Sequence, residues 1–337
     1  MAATPEQNVP DAASLVSMLM PVFNQAPFVG HAIASALAQT HRDLEILVLD
    51  DGSTDASDGI AADFARRDSR IRLERSGRNE GAAAARNRLL ARARGKYICF
   101  LDGDDFILPE KIAAQIAFLD AHLEFCAVGT GCVLVDSKDR TLRRVHYTQD
   151  DAELRYFPDL CCATVMYRAE ALRQAGSFRT DLANGEDVDM VLRIAELGRV
   201  TNLPDALYAY RQHRGQLSRR SGSGHIVAVA FKLYRSIGRA DVIEGPGLSE
   251  ADVFRRVLQD ADSLLGRAHG ADLPRAAAPA VVLLLLHAAR RAGRPRDLAR
   301  VLVLCATRMP RAFLRVMRMW LAAAYLNARI AWRSDHE

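Results

Sequence analysis

From Leu15 onward, short apolar runs alternate with segments of helical periodicity, the pattern of strand-helix units stacked around a mainly parallel sheet. Val16 to Met20 reads as the first strand, and Ala26 to Gln39 as a helix with Phe28, Ile33 and Leu37 toward the core. A second strand, Leu44 to Leu49, runs into Asp50 and Asp51, and Gly52 and Ser53 turn the chain into another helix. The unit repeats with a strand at Arg70 to Glu74, a helix from Glu80 to Ala93, and a strand at Tyr97 to Leu101 that stops at Asp102-Gly103-Asp104-Asp105. Lys111 to Ala121 reads as a helix and Cys126 to Val135 as strands; a helix opens at Glu186, and strands at Val200 to Leu203 and Leu207 to Arg211 close the unit. In open parallel sheets the ligand crevice lies outside the carboxyl ends of the strands, so Asp50, Asp51 and the later aspartates are expected to line one pocket.

The pattern changes after Ser218 to Gly224, a stretch of Ser, Arg and Gly that reads as a linker. Beyond it the helical period dominates and strand signals all but stop. The expected organisation is a flexible N-terminus over 1–14, an α/β domain over 15–217 and an all-helical region over 225–333. With 337 residues, half of them hydrophobic, the chain has material for two cores.

Charge narrows the function. A net charge of +4 from 45 basic and 41 acidic residues gives no dominant field, and no nucleic-acid partner is expected. The first fourteen residues lack a basic start followed by an apolar stretch, so the expected location is the cytoplasm. The uncharged apolar run from Ala276 to Ala289 is too short to span a bilayer, which takes about 20 residues. Cys99, Cys126, Cys132, Cys161, Cys162 and Cys305 show no C-x-x-C spacing and read as reduced thiols. From Arg290 to Arg333 there are eleven arginines against one acidic residue, Asp297. Arg308, Arg311, Arg315 and Arg318 recur at helical spacing beside an apolar stripe of Phe313, Val316, Met317 and Trp320. Such a face suits either peripheral contact with anionic lipid at the inner face of a membrane or plain solvation over a helical core.

The candidate chemistry lies at the strand ends. Three carboxylates at Asp102, Asp104 and Asp105 are hard oxygen donors that suit Mg²⁺ or Mn²⁺, ions that keep positions open for substrate phosphates; a solvated acidic turn has the same composition. Asp50-Asp51-Gly52-Ser53 adds a second acidic pair, with capping roles open to Ser53, Thr54 and Asp55. Glu186 and Asp187 open a helix packed by Val188, Val191, Leu192 and Ala195, where the macrodipole alone favours acidic side chains.

Val16 to Asn24, Asp50 to Thr54, Asn79 to Asn87 and Leu101 to Asp105 together resemble an inverting glycosyltransferase of family 2, over about the first two thirds of the chain. The resemblance implies the GT-A fold and a nucleotide diphosphate sugar donor, with a uridine donor favoured. It implies that Asp102 and Asp104, followed by Asp105, hold Mn²⁺ or Mg²⁺ and the donor's ribose and diphosphate. Pro21, Val22 and Asn24 would cradle the nucleoside, Asp51 would contact the base, and Asn79 and Arg86 would belong to the donor site. Asp187 would be the catalytic base with Glu186 in support, and His213, in Tyr210-Arg211-Gln212-His213, would join the metal or diphosphate unless it is simply solvated. A carbohydrate or lipid-linked acceptor follows, in cell-surface polysaccharide or glycolipid biosynthesis.

Two rival readings use the same strand-helix pattern. A Rossmann dehydrogenase or a nucleotidylyltransferase needs a glycine-rich loop after the first strand, where this chain reads Met20-Pro21-Val22-Phe23-Asn24. A non-catalytic nucleotide-sugar-binding or assembly module with a glycosyltransferase-like fold is opposed by the intact Asp102, Asp104 and Asp187.

Overall fold

The computed structural model describes residues 15–156, 159–182, 185–216, 224–242, 249–269, 277–291, 295–309, 311–314 and 316–317. The expected flexible N-terminus, nearly all of the linker, Pro310, Arg315, Arg318 and Trp320 lie outside the described residues. The chain divides into two compact units, one of residues 1–154 and 158–222, the other of residues 155–157 and 223–337.

The first unit is built on one sheet. Strands β1 (Val16–Val22), β2 (Leu44–Asp50), β3 (Ile71–Arg75) and β4 (Tyr97–Phe100) are joined by helices α1 (Val29–Leu37), α2 (Ser57–Arg67) and α3 (Ala82–Leu90). They pair in parallel in the order β3-β2-β1-β4. Both faces of β2 are buried, as expected of a strand covered by crossover helices. Pro21 has no N–H to donate, and it is accommodated because the β1–β4 ladder ends earlier, at Leu19 opposite Phe100.

Beyond β4 the sheet departs from the mainly parallel arrangement expected. After β5 (Phe106–Ile107) and α4 (Lys111–Ala121), β6 (Phe125–Asp136) runs out to a hairpin with β7 (Thr141–Val145). The short α5 (Asp151–Leu154) and a 3-10 turn lead to β8 (Met166–Arg168), α6 (Ala169–Ala175), α7 (Glu186–Leu197) and β9 (Arg199–Gln212). Here β8 is antiparallel to β4 and β6, β5 is antiparallel to β9, and β6 and β9 are parallel. The physical reason is connection length: β8 follows a loop with no full crossover helix, so it enters the sheet reversed. The two strands expected between Val200 and Arg211 are one strand, continuous through irregular register at Thr130 to Cys132 of its partner.

The second unit includes, among the described residues, helices α8 (Gly224–Ser236), α9 (Glu250–Gln259), α10 (Ala261–His269), α11 (Ala278–Arg291) and α12 (Pro295–Arg308), a 3-10 turn at Ala240–Val242 and further helical residues at 311–314 and 316–317. Helix α11 is buried nearly all round, through Val281, Val282, Leu284, Leu285 and Leu286, so the apolar run flagged in the sequence is the centre of a helical core. No helix among the described residues is long and apolar enough to cross a membrane. Of the basic face and apolar stripe expected there, the described residues include Val316, which is buried, Phe313 and Met317, which are half-buried, and Arg311, which is exposed.

Candidate active site

The parallel strands deliver β1, β2 and β4 to one edge of the sheet, and three loops meet there. Asn24 follows β1 in the left-handed region, φ 52°, which asparagine tolerates better than most residues. Its side-chain oxygen accepts from the Thr54 N–H at 2.8 Å, and its own N–H donates to Ser53 Oγ at 3.0 Å. Asp55 accepts from the Ala26 N–H at 3.0 Å and from Ser57. Ser53, Thr54 and Asp55 therefore stitch the β2 loop to the β1 loop. Pro21 is half-buried and Val22 buried, its carbonyl accepting from the Asp51 N–H at 2.8 Å.

The Asp51 carboxylate is buried and accepts from the N–H groups of Glu80 and Gly81 at 3.0 to 3.1 Å, fixing the entry to α3. This turn needs its glycine: Gly52 sits at φ +75°, and a Cβ there would lie 2.7 to 2.9 Å from the backbone of Arg78 and Asn79. Asn79 itself is exposed.

Helix α3 then carries Arg86 inward, where it meets the start of α7. The guanidinium contacts Glu186 and lies 3.4 Å from Asp102, with the Phe100 ring 5.8 Å away. Burial opposes its charge, but Asp102, Glu186 and Asp187 hold its pKa above the ordinary arginine value. Burial, with the nearby Asp104, Asp187 and Glu186, outweighs Arg86 at Asp102 and pushes its carboxyl up to about 6. Glu186 is raised as well, by burial first and then by Asp187. Gly185, at φ 82°, starts α7, and one Asp187 oxygen accepts from the Val188 N–H at 2.8 Å. The Cys162 thiol lies against Asp187, and burial there raises its pKa well above the usual thiol range. Asp102, Arg86, Glu186 and Asp187 are thus one electrostatic cluster.

On the other side of the turn, Asp104 Oδ2 lies 2.9 Å from His213 Nε2. Asp105, expected beside Asp102 and Asp104 as a metal ligand, faces inward: one oxygen accepts from Tyr208 Oη at 2.8 Å and the other from the Arg211 N–H at 2.7 Å. Its carboxyl is pushed well up by burial and by Asp104 and Asp102. Among the described residues no group of three or more His, Cys, Asp or Glu is arranged to hold a metal ion. The donor set still fits a small divalent ion of the Mg²⁺ type, which binds through one or two carboxylates and takes its remaining ligands from water and substrate phosphate. Asp102 and Asp104 offer those oxygens, and the carboxylate excess that raises Asp102 is the field such an ion relieves.

Sequence reasoning passed over Tyr208, Arg211 and Cys162. Tyr208 and Arg211 lie in a stretch read as a closing strand, with Arg211 quoted only as a neighbour of His213, and burial of Arg211 has no signal in an isolated Tyr-Arg-Gln-His run.

A mixed sheet whose parallel half carries acidic loops at its carboxyl edge, opposite a helix opened by two carboxylates, puts this cluster where open α/β folds bind their ligands. The model of Glycosyl transferase family 2 matches residues 17–176. EpsE of Bacillus subtilis (strain 168), which bears the name of a glycosyltransferase, is 34% identical over 211 residues, covering 61% of this chain and 76% of EpsE. WfaP of Escherichia coli, a UDP-Glc:alpha-D-GlcNAc-diphosphoundecaprenol beta-1,3-glucosyltransferase, is 32% identical over 211 residues, covering 60% of this chain and 80% of WfaP. This chain belongs to glycosyl transferase family 2. It spans only about a third of two Rickettsia relatives, 33% and 32% of their length. Its fold is of the GT-A type, shared with S. aureus TarS 1–349 in complex with UDP-GlcNAc (TM-score 0.57, 18% identity, 86% of this chain and 83% of that one). The mannosyltransferase PcManGT from Pyrobaculum calidifontis, in complex with GDP-Man and Mn²⁺, matches with TM-score 0.54 at 21% identity over 97% of this chain and 90% of its own.

Proposed function

We propose that this glycosyltransferase moves a sugar from a uridine diphosphate donor to a hydroxyl of a carbohydrate or lipid-linked acceptor, with inversion, in building a cell-surface polysaccharide or glycolipid. The observation that carries the reading is the Arg86-bridged cluster, which unites the acidic turn after β4 with the start of α7. The choice of uridine rests on WfaP, named for UDP-Glc, and on the UDP-GlcNAc complex of TarS; the GDP-Man complex of PcManGT makes guanosine the runner-up. A lipid-linked acceptor such as the one in WfaP's name would hold the enzyme at the inner face of the membrane.

Asp187 is the catalytic base in this reading. One of its oxygens accepts from the Val188 N–H, and its carboxylate, at the start of α7 beside the Arg86 cluster, would receive the acceptor's proton. The acceptor oxygen bonds to the anomeric carbon as the bond to the diphosphate oxygen breaks. The bonding pair leaves with the diphosphate and the hydroxyl proton passes to Asp187. A single displacement of this kind inverts the configuration. Arg86 keeps Glu186 and Asp102 in register with Asp187. Asn24, Pro21, Val22 and Asp51 shape the nucleoside side of the pocket through the stitched loops, with Asn79 and Arg86 at its α3 side. Asp102 and Asp104, with His213 against Asp104, are the residues that would hold Mn²⁺ or Mg²⁺, which supplies positive charge beside the departing diphosphate. Asp105 serves this site as an anchor of the turn.

A thermal-shift panel of UDP-, GDP- and dTDP-sugars with and without Mn²⁺ tests the proposal. Stabilisation by a UDP-sugar that requires Mn²⁺ is expected; a panel in which no sugar nucleotide shifts the transition contradicts it.

A further inference from the structure

Arg211 is a fully buried cation, and none of its polar groups contacts the Arg86 cluster. Its side chain is 2% exposed. Its N–H donates to Asp105 Oδ1 at 2.7 Å and its Nε to the Asp104 carbonyl at 2.6 Å. Nη1 meets the Asp139 carboxylate, and Nη2 is 3.4 Å from His31 Nδ1. The guanidinium also lies 4.7 Å from the Phe28 ring centroid and 5.4 Å from that of Phe106. Phe28 in turn packs 4.8 Å from His213, the partner of Asp104. One planar cation therefore fixes the main chain of Asp104, and its backbone fixes the carboxylate of Asp105. A lysine, with a single point charge, cannot make that set of contacts.

What holds Arg211 is outside the acidic turn. Asp139 stands at the tip of the β6–β7 hairpin, 42% exposed, in the left-handed region at φ 63°. The tip is closed by Asp136, whose carboxylate accepts from the N–H groups of Lys138 and Arg140 at 2.9 Å each. His31 Nδ1 lies 3.3 Å from the second Asp139 oxygen and its ring stacks on Phe106 at 4.4 Å.

We propose that Arg211, oriented by Asp139, is a positioning residue for the donor-binding turn: removing the hairpin carboxylate loosens the grip on Asp104 and weakens the hold on the nucleoside diphosphate. The inference rests on the donor-site reading above. Calorimetric titration of UDP with Mn²⁺ into the full chain tests it, using the wild type, Asp139→Gly, Asp139→Asn, Arg211→Lys and Asp104→Ala. Glycine keeps the left-handed tip unstrained, so Asp139→Gly should fold and bind about tenfold more weakly, the weight of one charge-assisted hydrogen bond. Asp139→Asn, which keeps an acceptor, should fall between it and the wild type, and Arg211→Lys should bind at least as weakly as Asp139→Gly. A merely structural role would lower the melting temperature of the hairpin variants and leave the affinity alone. Unchanged affinity in both Asp139 variants beside lost binding in Asp104→Ala overturns the positioning role and spares the site. Unchanged affinity in Asp104→Ala overturns the donor-site reading and the inference with it.

Discussion

Replacing Arg86 by methionine keeps the length of the stem and deletes the cation that faces Asp102 and Glu186. The side chain is 12% exposed, and at its 3.4 Å separation from Asp102 the attraction is about 5 kcal/mol for an effective dielectric of about 20. Part of that is offset by the desolvation of the guanidinium, and breaking a buried pair from one side costs about 3–5 kcal/mol. Taking about 3 kcal/mol, the melting temperature should fall by about 6–12 °C, at the about 2–4 °C per kcal/mol expected of a domain this size. The loss has a pH signature. Burial already raises both Asp102 and Glu186, and without Arg86 they rise further. Carboxyls that hold protons more tightly folded than unfolded make stability fall as pH rises, from the unfolded range near about 4 up through the folded values. Differential scanning calorimetry at pH 7 and pH 5 should therefore show a deficit that shrinks at pH 5, where the orphaned carboxyls are protonated. A wild-type melting temperature at pH 7, or a deficit that grows at pH 5, would refute the reasoning.

Gly52→Ala must place an alanine at φ +75° with its Cβ 2.7 Å from the Arg78 carbonyl carbon. It should cost at least about 1–2 kcal/mol in urea unfolding and raise the UDP dissociation constant through Asp51. Gly77→Ala, with open space around its added Cβ, is the control that should do neither. At the opposite end of the sheet, Glu45 is buried and accepts from Ser17 Oγ at 2.5 Å and from Arg94 N at 2.7 Å. Burial pulls its pKa up, but these bonds and the Arg94 charge hold it below 4.5. Between its folded value and 4.5 the unfolded chain binds more protons, so this contribution is present above that window and lost as pH falls through it. Glu45→Gln should be about 1–3 kcal/mol less stable at pH 7, with a shallower decline in acid; an unchanged acid profile would dismiss the assignment.

The parts of this molecule legible in its sequence are those with local causes. Apolar runs ending in Asp50, Asp51 and Asp102 give β2 and β4 their ends to within a residue, because burial on both faces keeps these strands apolar apart from the paired Glu45 near the start of β2. The helix starting at Glu186 was equally plain, since the macrodipole and the apolar period agree there. Reversal of the sheet after β4 was not, because direction depends on how β8 is reached rather than on its three residues. In the site, the pattern names Asp102, Asp104, Arg86 and Asp187 but not their pairing: Arg86 and Glu186 are 100 residues apart, and only the folded chain brings them into contact. Nor could it show that the Asp51 carboxylate caps a loop, or that Asp105 is turned toward Tyr208 and Arg211.

The proton acceptor is the claim on which the proposed chemistry depends. Asp187→Asn, a near-isosteric change at the start of α7, should bind UDP with Mn²⁺ about as tightly as the wild type while its turnover falls by about 10²- to 10⁴-fold. Turnover at the wild-type level in that variant, measured with the same donor and acceptor, would contradict the account.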